Sequence, residues 1–141
     1  MVKAGSADPL YRGGEHSDTS RRKVEELIVE RLELDNVKIL EGVFPDETSP
    51  LVTDRRFRFC HIDVDVYRSA KDVVEWIWSR LVIGGIVVYD DYGFQGCEGI
   101  TRFVEEQTGL PDRLLFHNLN GHAIIVKTSE PGAGPSRDPG Q

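Results

Sequence analysis

Residues 57–92 read FRFCHIDVDVYRSAKDVVEWIWSRLVIGGIVVYDDY, and this stretch constrains the chain more than any other. It predicts a strand over Phe57–Asp65, a helix, and a second strand ending at Asp90. Each strand closes on paired acids: Asp63 and Asp65 on the first, Asp90 and Asp91 on the second. Two strands joined through a helix form a parallel βαβ unit. Open α/β sheets bind ligands beyond the carboxyl ends of their strands. Four carboxylates are therefore expected at the one sheet edge where chemistry takes place.

Along the first strand Ile62, Val64 and Val66 alternate with His61, Asp63 and Asp65, so period two sends the polar set to one side. Ser69 followed by Asp72 resembles a capping box for a helix over Ser69–Leu81. Val73, Val74, Ile77 and Leu81 form its inward stripe, Trp76 and Trp78 lie on flanking faces, and Gly84-Gly85 is expected to stop it. The run Ile86–Tyr89 is unbroken and apolar, as in a strand buried on both faces.

Elsewhere the signals are local. Residues 1–19 are polar and aperiodic and are expected to be a flexible segment. Val24, Leu27, Ile28, the stem of Arg31, and Leu32 follow helical spacing behind Ser20 as N-cap, predicting a helix that ends near Asp35-Asn36. Val37–Leu40 is expected as a short strand, followed by a turn-rich connection through Pro45 and Pro50. A further helix is predicted from Cys97 to Thr108 with Gly109 just past its end. Arg113–Asn118 and His122–Lys127 flank Asn120-Gly121, the pair that favours a type I′ hairpin turn. A disordered tail is expected over 129–141, leaving one domain over 20–128.

Composition excludes several classes. With 24 acidic against 17 basic residues the net charge is −7, which argues against a nucleic-acid partner; Arg55, Arg56 and Arg58 are read as a solvated loop rim. Cys60 and Cys97 are too few and too differently placed for a disulfide framework and are expected to be reduced. No apolar run has signal-peptide or membrane-span length, so a cytoplasmic protein with no membrane partner is expected.

Paired acids on two adjacent strand ends make a hard-oxygen site of the kind Mg²⁺, Mn²⁺ or Ca²⁺ prefers, and no Cys/His spacing builds a zinc site. The competing reading is that these aspartates solvate loop starts; the pairing on both strands favours the metal. His61, mid-strand, reads as a structural core histidine, while His117 and His122 have no visible acid partner and His16 lies in the N-terminal segment. Gly13-Gly14 and Gly84-Gly85 read as turn glycines, since neither pair follows a strand and opens a helix.

The stretch from His61 to Glu106 resembles the second half of the macrocin O-methyltransferase family. The likeness lies in an H-I-D-x-D-x-Y strand end, a helix closed by L-x-x-G-G, a strand ending in D-D-Y-G, and G-C before the next helix. EGVFPDET is similar to a family segment just upstream, and the likeness spans roughly Thr19–Lys127. It implies an α/β fold: a partial Rossmann-like class I methyltransferase sheet with crossover helices and a C-terminal antiparallel hairpin. It also implies S-adenosylmethionine as methyl donor, a sugar hydroxyl of a small-molecule natural product as acceptor, and a divalent cation. Carried over by position, the cation ligands fall on Asp63, Asp90 and Asp91 and the general base on Asp65; Tyr67 and Tyr92 are candidates for the acceptor pocket.

The family's first two strands, with the Gly-rich turn and ribose-binding acid that hold the cofactor, have no counterpart before Ser20. The resemblance therefore implies a family fragment whose cofactor-binding residues are not identified. Such a chain alone is expected to bind S-adenosylmethionine weakly and to associate, as a homo-oligomer among other ways. A truncated remnant or metal-binding module is the alternative. A haloacid-dehalogenase-like phosphatase also places D-x-D at a strand end, but there that strand comes first and its late acid pair does not arrive on the very next strand.

Overall fold

A computed structural model describes residues 6, 8 and 19–132; the remaining expectations for 1–19 and for 133–141 lie outside the described residues. Among the described residues four strands form one mixed sheet in the order β1-β2-β4-β3. β1 (Phe57–Ile62) runs parallel to β2 (Leu81–Tyr89), β2 pairs antiparallel with β4 (Ala123–Lys127), and β4 pairs antiparallel with β3 (Arg113–His117). The parallel pairing of the two acid-bearing strands and the closing antiparallel hairpin are as the sequence predicts.

Two helices cover one face. In α2 (Tyr67–Trp78) the buried residues Ala70, Val74, Ile77 and Trp78 follow a helical stripe, and in α3 (Glu98–Glu105) Ile100, Phe103 and Val104 do the same. They meet Ile62, Val87, Tyr89, Ala123 and Ile125, the alternate residues of three strands, in one core. Each valine, isoleucine or phenylalanine among them, fully buried, contributes about 1.5–3 kcal/mol. The opposite face is open rather than buried as expected for Ile86–Tyr89: Ile86 and Val88 are half-buried, and Phe59, Leu114 and Phe116 are 59%, 54% and 52% exposed.

The ends of α2 differ from the sequence expectation. Ser69 lies inside the helix and Asp72 pairs with Arg68, so no capping box forms. Asp8 supplies the cap from the far end of the chain: buried, it accepts the Tyr67 N–H at 2.9 Å. Gly99 lets it approach, since a Cβ there would stand 1.7 Å from Asp8 Oδ1. At the other end the helix stops at Trp78. The buried Lys127 ammonium donates to the carbonyls of Trp78 and Leu81 and to Glu130, where the tail was expected to be disordered. Gly84 and Gly85 consequently fall inside β2. There β1 advances from Phe57 to Phe59 while β2 advances from Leu81 to Ile86, a bulge that needs Gly84 at φ 78°.

Toward the N-terminus α1 (Arg21–Glu25) starts at Ser20, whose hydroxyl accepts the Lys23 N–H. It widens into a π-helical turn over Glu26–Arg31, closed by Leu32 N–H to Leu27 O at 3.0 Å, and so ends before Asp35-Asn36. Leu27 and Leu32 are exposed rather than inward. Val37–Leu40 is not a strand. It has no ladder partner, β1 is the edge of the sheet, and Val37 is left exposed. Both cysteines are free thiols, and no helix among the described residues is long and apolar enough to cross a membrane.

Candidate acidic site at the carboxyl edge of the sheet

The parallel register pairs Ile62 with Tyr89, so the chain leaves β1 at Asp63 beside the point where it leaves β2 at Asp90. Both exits turn sharply through an aspartate in the left-handed region, Asp65 at φ 59° and Asp91 at φ 58°. Aspartate tolerates that region better than most residues, at a cost of about 1 kcal/mol or more each. The two side chains so turned lie together. Carboxylate atoms of Asp65 and Asp91 and the Cys97 sulfur all lie within 4.8 Å of one another.

Electrostatics follow from that crowding. Burial first, then the hydrogen bond with Asp65 and the charges of Asp65 and Asp90, hold the Asp91 carboxyl above the ordinary carboxylate range. Burial, then the charges of Asp65 and Asp91, push the Cys97 thiol up to about 11, so it stays protonated and unreactive at neutral pH.

Asp90 turns the other way. Its Oδ1 accepts the Asp91 N–H at 3.0 Å and faces His122 Nε2 at 3.1 Å, while Oδ2 faces His61 Nε2 at 3.5 Å. His61 is thus an exposed partner of Asp90 and not a core residue. His122 has the acid partner that the sequence did not show, because the pairing of Tyr89 with Ala123 brings the next residues, Asp90 and His122, opposite each other. Asp63 is exposed and belongs to neither group of converging ligand atoms, although its charge adds to the shift of Cys97. The sequence-derived trio of Asp63, Asp90 and Asp91 is therefore distributed over three positions around the edge; Asp65, assigned as base, stands against Asp91.

The two tyrosines separate. The Tyr67 ring packs edge-on against Phe103 at 5.5 Å and its hydroxyl donates to Glu106 at 2.6 Å, joining α2 to α3. Tyr92 stacks edge-on against His117 at 4.8 Å and lines a cavity of about 340 Å³ with Phe94, Leu119 and Gly121, next to Asp91.

Asp65 and Asp91, with Asp90 and Asp63 beside them, are hard oxygen donors of one charge sign, and burial together with the neighbouring acids already raises the Asp91 carboxyl. That donor set fits a Mg²⁺-like ion. Cys97, protonated, adds no ligand.

The chain matches the Macrocin-O-methyltransferase (TylF) family over residues 14–121. It belongs to this family. Over 78 residues it is 33% identical to the 8-demethyl-8-(2,3-dimethoxy-alpha-L-rhamnosyl)-tetracenomycin-C 4'-O-methyltransferase of Streptomyces olivaceus, covering 55% of this chain and 30% of that protein. Its fold matches the O-methyltransferase NovP with a TM-score of 0.66 at 24% identity, over 79% of this chain and 46% of NovP. It also matches apo CalS11, the TDP-rhamnose 3'-O-methyltransferase of calicheamicin biosynthesis, with a TM-score of 0.52 at 21% identity, over 62% of this chain and 39% of that one. The macrocin-O-methyltransferase family member described here thus spans less than half the length of these relatives. It is related to sugar O-methyltransferases of natural-product biosynthesis and shares their mixed α/β fold, and family membership sets the phosphatase reading aside.

Proposed function

We propose that this chain takes part in cation-assisted methyl transfer from S-adenosylmethionine to a sugar hydroxyl of a glycosylated natural product. The observation that carries the reading is the pairing of Asp65 with Asp91, both in left-handed backbone and with carboxylate atoms within 4.8 Å, at the ends of adjacent parallel strands. Family membership supports the methyl donor, and the rhamnose-directed relatives support a sugar acceptor.

In this reading Asp91 would hold the ion, Asp90 and Asp63 would reach it through water, and Asp65 is the base. A bound Mg²⁺ supplies Lewis acidity that makes the acceptor hydroxyl easier to deprotonate. Asp65 takes the hydroxyl proton as the oxygen forms its bond to the methyl carbon and the carbon–sulfur bond breaks. Its place at the turn into α2, beside Asp91, would hold the carboxylate next to an ion-bound hydroxyl, where orientation lowers the barrier. Tyr92 and the adjoining cavity flank the acceptor. The partner is a small molecule in the cytoplasm, where the methyl donor is made; the net charge of −7 disfavours nucleic acid, and the open sheet face favours self-association.

The test is transfer of labelled methyl from millimolar S-adenosylmethionine to a rhamnosylated acceptor by the purified chain with Mg²⁺. Label in the acceptor that disappears with EDTA and with Asp65→Asn supports the reading. Absence of transfer, or transfer indifferent to Asp65→Asn, overturns it.

A further inference from the structure

The loop between β3 and β4 is more than a turn. Leu119 at φ 58° and Gly121 at φ 84° carry its left-handed backbone, rather than Asn120-Gly121 as a type I′ turn would require. Asn118 closes it: its backbone N–H donates to His122 O at 3.2 Å, and its Oδ1 accepts the N–H groups of Asn120 at 2.9 Å and His122 at 3.1 Å. Two backbone donors on one oxygen settle which end of the carboxamide is which. The other end, Nδ2, stands 3.0 Å from His122 Nδ1.

An amide NH₂ has only hydrogens to offer, so Nδ1 of His122 is the acceptor. In the neutral ring the proton then resides on Nε2. That nitrogen faces Asp90 Oδ1 at 3.1 Å, and the same oxygen takes the Asp91 N–H at 3.0 Å. A directed series of donors runs from the loop backbone through Asn118 and His122 to one oxygen of Asp90. With Oδ1 doubly engaged at 3.0 and 3.1 Å, Oδ2, which has only the more distant His61 Nε2 at 3.5 Å, is the oxygen more open to a ligand.

We propose that Asn118 and His122 are positioning residues for Asp90: the carboxamide selects the imidazole tautomer, and the imidazole fixes the rotation of the carboxylate so that Oδ2 is presented at the acidic edge. Ligand atoms of His61, Asp90 and His122 lie within 4.8 Å of one another, the composition of a two-histidine, one-carboxylate transition-metal site. Ligation through Nε2 needs a lone pair there, and Asn118 puts a proton in its place. The group is a carboxylate clamp and not a transition-metal site. What Asp90 does once positioned rests on the proposed function; the tautomer does not.

Long-range ¹H–¹⁵N correlation on the full chain near pH 8 reads the tautomer directly. His122 is expected as Nε2–H, and Asn118→Asp, which places an acceptor against Nδ1, is expected to move the proton and free Nε2. Zn²⁺ binding should then tighten about tenfold or more in Asn118→Asp and fall back when His61→Ala is added. An Nδ1–H tautomer in the parent, or an unchanged tautomer in Asn118→Asp, overturns the proposal. The second arm is Mg²⁺ titration. His122→Ala should weaken binding about tenfold, with recovery in His122→Gln, whose amide NH₂ reaches the same oxygen. Parent-like Mg²⁺ binding by His122→Ala overturns the positioning role. A parent that binds no Mg²⁺ sinks the proposed function instead, and the tautomer readout alone then decides the clamp.

Discussion

Replacing Asp91 with Asn should reverse the order of stability between variant and parent depending on the cation. Asp65 and Asp91 bring carboxylates within 4.8 Å. Two unit charges at the outer limit of that spacing repel by about 3.5 kcal/mol at an effective dielectric of 20 and about 1 kcal/mol in water-like screening. Asp91 is only half-buried, so the lower figure applies. Asn keeps the shape and tolerates the left-handed φ of 58° that Asp91 adopts. In EDTA the variant should therefore melt higher by about 4 °C, the shift that about 1 kcal/mol produces in a domain of this size. With Mg²⁺ at a hundredfold excess over its dissociation constant the parent gains about 2.7 kcal/mol by mass action, and the variant, lacking a ligand, gains little. The melting curves should cross over between the two conditions. A variant that melts below the parent in EDTA, or one that Mg²⁺ stabilises as much as the parent, would refute the reasoning.

At the opposite end of the sheet, the hydrogen bond from Arg113, and less strongly that from Trp78, hold the Asp112 carboxyl below its ordinary value of 3.8 against the effect of burial. Its contribution is therefore complete above that value and lost as pH falls below it, so Asp112→Asn should flatten the acid limb of stability against pH in urea unfolding. Lys127→Ala leaves the carbonyls of Trp78 and Leu81 and the Glu130 carboxylate without their buried ammonium, and should cost about 3 kcal/mol in the same assay. Phe116→Lys places a charge on the open sheet face and should lower the concentration dependence of the sedimentation coefficient, while a parent that is monomeric at all concentrations would contradict self-association through that face.

The acid-bearing strands were legible because period two, a helix between them and terminal aspartates all point to one arrangement. The hairpin was legible for the same reason, apart from its turn, where Asn118 bonding to two loop N–H groups outweighs the Asn-Gly preference. What the sequence hid was long-range. Ser69 looks like a cap because the local pattern cannot show that Asp8, dozens of residues away, occupies the helix N-terminus. Gly84-Gly85 looks like a helix stop because nothing local reveals that Lys127 ends the helix at Trp78 and leaves the glycines to a bulge. Val37–Leu40 has strand propensity but no partner, and strands exist only in pairs. His122 gave no signal alone, because the register that sets it against Asp90 is that of β2 with β4, two strands separated by α3 and β3 in the sequence.

The account turns on whether the ends of β1 and β2 form one cation site. Mn²⁺ titrated into the ¹⁵N-labelled chain tests this directly, because the ion broadens amide signals according to their distance from it. The account predicts saturable broadening centred on residues 63–66 and 90–93, displaced by Mg²⁺ and abolished by Asp91→Asn. Broadening that does not saturate, or that centres away from both strand ends, would contradict it.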